Sequence, residues 1–172
     1  MQKFANLIFI HGLESSSQGH KARLLRQIFP GILVPDFQGT LEERMARLET
    51  ILDKGDDWII IGSSFGGLMG TLYACAHPDG VKKLILLAPY FACSSFSERL
   101  PEPIAIPVVL IHGTQDVLIP LEEVHLFARK VFKNLEFRAV EDDHRLWKTA
   151  QQLNWQELVS IKNLANTKIQ HS

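Results

Sequence analysis

Four short runs of continuous apolar residues recur along the chain: Leu7-Ile8-Phe9-Ile10, Trp58-Ile59-Ile60-Ile61, Leu84-Ile85-Leu86-Leu87 and Val108-Val109-Leu110-Ile111. A strand with one face in water alternates apolar and polar residues, whereas a strand covered on both faces does not. Each run is followed within two residues by a Gly or Pro, which bounds it as a strand between two covering layers. Ile32-Leu33-Val34 and the stretch from Leu135 to Val140 are weaker candidates of the same kind.

Helical patterns fill the gaps. Leu41, Met45, Leu48 and Leu52 fall on one face of a helix, and Thr40 with Glu43 predicts a capping box at its start. Val124, Phe127, Ala128 and Val131 mark a second helix, opened by Pro120 and Glu122-Glu123 and closed by Lys130 and Lys133, as the helix dipole favours. Trp155, Leu158, Val159 and Lys162 suggest a final helix over the end of the sheet. Strand–helix alternation of this kind predicts a parallel sheet with helices on both faces, joined by right-handed crossovers. Its chemistry belongs beyond the carboxyl ends of the strands. The 172 residues show no repeat or linker, so one domain spanning 1–172 is expected.

Bulk composition excludes several roles. The net charge is −1 and no basic block occurs, so nucleic acid is not an expected partner. The longest apolar run, around Leu84 to Cys93, falls far short of the ~20 residues that span a bilayer. The apolar stretch after Lys3 ends at His11-Gly12 with no small-residue cleavage site behind it. A cytoplasmic protein with no membrane partner is expected. Cys75 and Cys93 form neither a disulfide framework nor a metal-ligand spacing and read as packing residues.

The unusual chemistry gathers at the strand ends. Gly62-Ser63-Ser64-Phe65-Gly66 joins an apolar strand to a helical stretch running to about Ala76. This is the G-x-S-x-G elbow in the strand–turn–helix context it requires, with Ser64 as nucleophile; Ser63 stands one place off the spacing. A serine hydroxyl is a weak nucleophile without a base. Among seven histidines, His144 lies on the loop after the last weak strand, where a base following Ser and acid in chain order belongs. His77, His125 and His171 sit on helical or tail segments, His20 opens a helix near the site, and His11 and His112 read as loop-shaping residues. A zinc site built from His11, His112 and His144 lacks a second ligand at helical or turn spacing, so no metal is expected. Asp116, just beyond the strand ending at Ile111, is the expected orienting acid; Asp142 and Asp143 are the alternatives. The oxyanion hole is expected from the backbone N–H groups of Phe65 and Leu13, with Gly12 letting the chain turn beneath the substrate.

Taken together, His11-Gly12-Leu13 with Ser15-Ser16 and His20-Lys21-Ala22, Gly62-Ser63-Ser64-Phe65-Gly66-Gly67, His112-Gly113-Thr114-Gln115-Asp116 before Val117-Leu118-Ile119-Pro120, and the late Asp143-His144 resemble the α/β-hydrolase superfamily. Within it the chain is similar to the small bacterial YqiA-type serine esterases. The resemblance covers nearly the whole chain, with Pro89 to Ile106 matching only in position. It implies an α/β-hydrolase fold of about six mostly parallel strands in spatial order 2-1-3-4-5-6. It also implies catalytic roles for Ser64, Asp116 and His144, and esterase activity on short acyl chains with no cofactor. The chain departs from the pattern at Glu141-Asp142-Asp143, where a Gly-rich turn is usual, and in having only Ala88 to Pro107 where larger members insert a lid. A minimal lid predicts an open site for a small-molecule ester, with Leu13, Tyr90, Phe91 and Leu118 as candidate contacts. A thioesterase or amidase would use the same machinery. A perhydrolase or lyase, or a silent binding protein of the same fold, are the further alternatives, the last usually lacking a triad member.

Overall fold

Five of the six apolar candidates pair into one parallel sheet. The computed structural model describes residues 6–53, 55–91 and 99–161; Cys93, Lys162, His171 and part of the Ala88–Pro107 stretch lie outside the described residues. The strands are β1 (Asn6–Ile10), β2 (Trp58–Ser63), β3 (Val81–Leu87), β4 (Ile104–Gly113) and β5 (Phe132–Val140), adjacent in that order and all parallel. The sixth candidate, Ile32-Leu33-Val34, lies outside β1 in the expected place but forms only a single bridge. Phe9 N–H donates to Leu33 O at 2.8 Å and Leu33 N–H to Leu7 O at 2.9 Å. Pro30 and Pro35 bracket this segment; proline brings no N–H to a ladder, so the pairing stops after one bridge. The sheet therefore has five strands rather than six.

Both faces are covered, which is why the strands read as unbroken apolar runs. One face holds Ile8, Ile10, Ile60, Leu84, Leu86, Val108 and Leu110, packed with Leu48, Leu52, Leu68, Met69, Val124 and Val131. Those helical residues come from α2 (Leu41–Leu52), α3 (Phe65–Ala76) and α4 (Leu121–Val131). The alternate strand residues Phe9, Ile59, Ile61, Ile85, Leu87, Val109 and Ile111 meet Ala22, Leu25, Ala150, Trp155 and Leu158. These belong to α1 (His20–Ile28), α5 (Trp147–Gln152) and α6 (Trp155–Val159). The period-two split of side chains thus feeds two cores from one sheet.

Local signals behave as their chemistry requires. The capping box forms: Glu43 N–H donates to Thr40 Oγ1 at 3.3 Å and Thr40 N–H to Glu43 Oε2 at 2.8 Å. At the end of α4 the sequence expectation shifts. The helix stops at Val131 and β5 begins at Phe132 with no loop between, so Lys133 lies on the strand rather than in the last helical turn. The buried Phe132 ring, 3% exposed, anchors that change of direction. Among the described residues, no helix is long and apolar enough to cross a membrane.

Trp155 fixes the second layer. It is 2% exposed, and its indole N–H donates to Ala150 O at 2.8 Å, tying α6 to α5. Trp155→Ala removes that bond and a large apolar volume together, and is expected to lower unfolding free energy by about 3–5 kcal/mol in urea titration. Leu33→Ala, at a half-exposed position, is expected to cost well under half of that.

Candidate active site

Only Ser64 separates β2 from α3, and it takes the whole change of direction at φ 53°, ψ −115°. A non-glycine residue there carries roughly 1–3 kcal/mol of strain and persists only when its surroundings over-determine it. Its N–H donates to Leu87 O at 2.9 Å, and its carbonyl accepts Tyr90 N–H at 3.0 Å and Gly67 N–H at 2.9 Å. Two glycines make room for the turn. A Cβ at Gly66 would stand 2.0 Å from Ile10 O, and one at Gly62 would stand 2.5 Å from Gly66 O. Ala88 at φ 44° and Leu146 at φ 50° are further positive-φ residues close to these loops. The remaining described non-glycine residue with positive φ, Asp57 at 61°, precedes the start of β2 at the other end of the sheet.

The hydroxyl so placed has a partner from the far end of the chain. Ser64 Oγ lies 3.0 Å from His144 Nε2, and His144 Nδ1 lies 2.7 Å from Asp116 Oδ2. A carboxylate only accepts, so Nδ1 carries the proton toward Asp116 and leaves Nε2 free to accept from Ser64. The Asp116 carboxylate is wholly buried, whereas the His144 side chain is 19% exposed. Oδ1 accepts the N–H groups of Leu118 and Ile119, each at 2.9 Å, so the carboxylate is the hub of its own loop. A buried charge needs such donors.

The loop after β1 approaches Ser64 from the other side. A Cβ at Gly12 would lie 3.4 Å from Ser64 Cβ. Gly12 O is held by His11 Nδ1–H at 2.7 Å and by Ser15 N–H at 3.2 Å, while His11 Nε2 accepts Phe37 N–H at 3.2 Å. In a planar trans peptide the carbonyl and the next N–H point opposite ways, so Leu13 N–H is turned away from His11. Phe65 N–H opens α3, where helix amides are unpaired. Among the described residues neither N–H is assigned a protein acceptor.

Asp142 and Asp143, the alternative acids, instead hold the loop that carries His144. Asp142 Oδ2 accepts Thr149 N–H at 2.9 Å and Thr149 Oγ1–H at 2.7 Å, and its Oδ1 accepts Asp143 N–H at 2.9 Å. Asp142 O accepts Gln115 N–H at 3.1 Å, joining this loop to that of Asp116. Burial pushes the Asp142 pKa up, but the Thr149 and Asp143 donors outweigh it and hold the group below the ordinary carboxylate range. Its stabilisation is therefore present above that range and is lost as pH falls through the lowered value. Asp143 Oδ1 accepts Arg145 N–H at 2.9 Å. Neither carboxylate is hydrogen-bonded to the His144 ring among the described residues. Lys21 on α1 senses Asp142, Asp143 and Arg145; burial pushes its pKa down to about 8. His20 stacks on Trp147 at 4.9 Å, whose ring also receives the Arg145 guanidinium at 5.3 Å.

The expected substrate contacts divide. Leu13 and Leu118 are 54% and 70% exposed, and Tyr90 is half-buried with its ring 6.4 Å from Phe65. Phe91 does not join them. It is buried in the core, stacked on Phe127 of α4 with ring centroids 4.1 Å apart and 6.3 Å from the ring of Phe132 at the start of β5.

Residues 36–101 match a family model described as the alpha/beta hydrolase fold. Mouse alpha/beta hydrolase domain-containing protein 10 has a similar structure, with a TM-score of 0.70 and 22% identity over 84% of each chain. The chain has the α/β-hydrolase fold. A monoacylglycerol lipase from Paleococcus ferrophilus gives a TM-score of 0.70 at 17% identity, covering 91% of this chain and 96% of that one. A mouse "Serine hydrolase-like protein" is 36% identical over 73 residues, 41% of this chain. The match spans only 22% of that mouse protein's length. The family-model match contains Ser64 but neither Asp116 nor His144; their placement in this α/β-hydrolase fold rests on the geometry above.

Gly113 sits where the two loops meet, and a Cβ there would stand 2.3 Å from Asp142 O. Gly113→Ala is therefore expected to force the Asp116 and His144 loops apart, costing about 1–3 kcal/mol of stability. It is also expected to abolish the far-downfield NMR signal of the His144 Nδ1–H shared with Asp116.

Proposed function

We propose that this chain is a serine hydrolase that cleaves small carboxylic esters through an acyl-enzyme at Ser64. The observation that carries the reading is the unbroken run Ser64 Oγ–His144 Nε2–His144 Nδ1–Asp116 Oδ2, with separations of 3.0 and 2.7 Å. In the first step His144 Nε2 takes the hydroxyl proton as Oγ bonds to the acyl carbon, and the imidazolium so formed is stabilised by Asp116. The carbonyl oxygen becomes an oxyanion facing Leu13 N–H and Phe65 N–H, at the amino end of α3, where negative charge is favoured. Collapse expels the alcohol, which takes the proton from His144. Water then enters with His144 again as base, and the acid leaves.

Ester chemistry is favoured over amide chemistry by an open rim. Leu13 on the loop after β1 and Val117 and Leu118 on the loop of Asp116 are exposed, and such a rim offers apolar contact without the many donors that orient a peptide. The structurally similar Paleococcus ferrophilus protein is named a monoacylglycerol lipase, which agrees with that class. A cytoplasmic location and a small-molecule ester, with no nucleic-acid or membrane partner, belong to the same proposal.

Kinetics on a series of aryl esters of increasing acyl length tests it. Ser64→Ala is expected to lower kcat by roughly 10⁶, and Ser63→Ala to leave most activity. Asp116→Asn is expected to lose roughly 10⁴, by analogy with the serine-protease triad. Asp142→Asn and Asp143→Asn should lose less than about tenfold, because they hold the loop without touching the ring. As the base must be unprotonated, kcat/KM rises with pH while His144 gives up its proton. Parent-level hydrolysis in Ser64→Ala, or crippling by Asp143→Asn with a benign Asp116→Asn, contradicts the assignment.

A further inference from the structure

The Asp116 carboxylate has a neighbour that the relay does not use. His112, near the end of β4, has a wholly buried side chain. Its Nε2 lies 2.9 Å from Ile119 O and 3.3 Å from Asp116 Oδ2. Both neighbours are acceptors, so Nε2 carries a proton, given mainly to Ile119 O and presented side-on to Oδ2. The other nitrogen, Nδ1, is buried with no hydrogen-bond partner among the described residues. An aliphatic or phenyl side chain would fill the same space without an unpaired ring nitrogen, but it would leave Ile119 O without its donor, so what the histidine supplies is the Nε2–H.

We propose that His112 is a positioning residue for the relay, acting through Asp116; the proposal rests on the reading of Ser64, His144 and Asp116 given above. The mechanics follow from how the carboxylate is shared. Oδ1 is occupied by the amides of Leu118 and Ile119. Oδ2 faces two ring N–H groups, His144 at 2.7 Å and His112 at 3.3 Å. By holding Ile119 O, His112 closes the 112–119 loop against the strand that carries it and fixes the plane of the carboxylate. The longer contact leaves His144 as the main partner of Oδ2. It also places a partial positive charge beside that oxygen, which offsets part of the pull the carboxylate exerts on an imidazolium. Without His112, Oδ2 would hold the His144 proton more firmly and aim less well.

The role separates from simple packing by reach. A Gln amide nitrogen extends to about the place of Nε2, whereas an Asn amide extends only to that of Nδ1. In His112→Leu, kcat/KM is expected to fall roughly 10- to 100-fold, because the buried Ile119 O is left without its donor and the Asp116 loop without its anchor. The His144 titration, followed by NMR without substrate, is expected to move to higher pH than in the parent. The other charges around that ring and its loop, Asp116, Asp142, Asp143, Arg145 and Lys21 from α1, are the same in every variant. His112→Gln is expected to restore both rate and titration, and His112→Asn to restore neither. Should His112→Leu fail to fold, the Gln and Asn pair carries the test. Equal behaviour of that pair overturns the proposal, as does a folded His112→Leu with the parent rate and an unmoved titration. The NMR readout needs no substrate, so an inert parent enzyme would defeat the proposed function while leaving the His112 result readable.

Discussion

Everything in the site depends on one close approach: the start of α3 against the end of β1 at Gly66. No side chain fits there, because the first carbon would fall 2.0 Å from Ile10 O. That contact lets the chain reverse from strand to helix over the single residue Ser64, at φ 53°. The strained turn lifts the hydroxyl above the carboxyl edge of the sheet and leaves Phe65 N–H at the helix mouth. It also presents the Ser64 backbone to β3 through Leu87 O and to the following loop through Tyr90 N–H. A looser turn would return the side chain to the ordinary packed face of a strand.

The second requirement is that two distant loops meet. The β4–α4 loop carries the carboxylate and the β5–α5 loop carries the imidazole, and neither is rigid by length alone. Each is closed from within: Asp116 accepts from its own loop amides, and Asp142 accepts from Thr149 at the start of α5. They are then joined by Gln115 N–H to Asp142 O. Gly113 permits the approach as Gly66 does at the elbow. Asp142 and Asp143 before His144 thus close their loop by hydrogen bonding instead of by the conformational freedom of glycine.

Much of this was legible in the residues themselves. Continuous apolar runs announce covered strands because burial on both faces leaves no polar positions. Gly62 and Gly66 flanking Ser64 announce the elbow because only glycine tolerates the contacts. Residues 32–34 make one bridge and no strand because apolar character signals burial but not pairing, and the flanking prolines limit the ladder. Phe91 is buried for a related reason: a large aromatic after a strand end can turn toward the site or into the core, and only tertiary packing decides. The Asp142 latch and the His112 contact were hidden because their partners, Thr149 and Ile119, become neighbours only when the loops fold. A buried histidine with one nitrogen unpaired has no signature in sequence.

The central claim is that Ser64 is activated by His144 and Asp116, and covalent labelling addresses it without knowledge of the substrate. A fluorophosphonate reacts with an activated serine, and the modified peptide can be located by mass spectrometry. The account predicts one adduct per chain, on the peptide at Ser64, retained in Ser63→Ala, absent in Ser64→Ala and formed far more slowly in Asp116→Asn. An unlabelled parent protein, or an adduct that persists in Ser64→Ala, would contradict it.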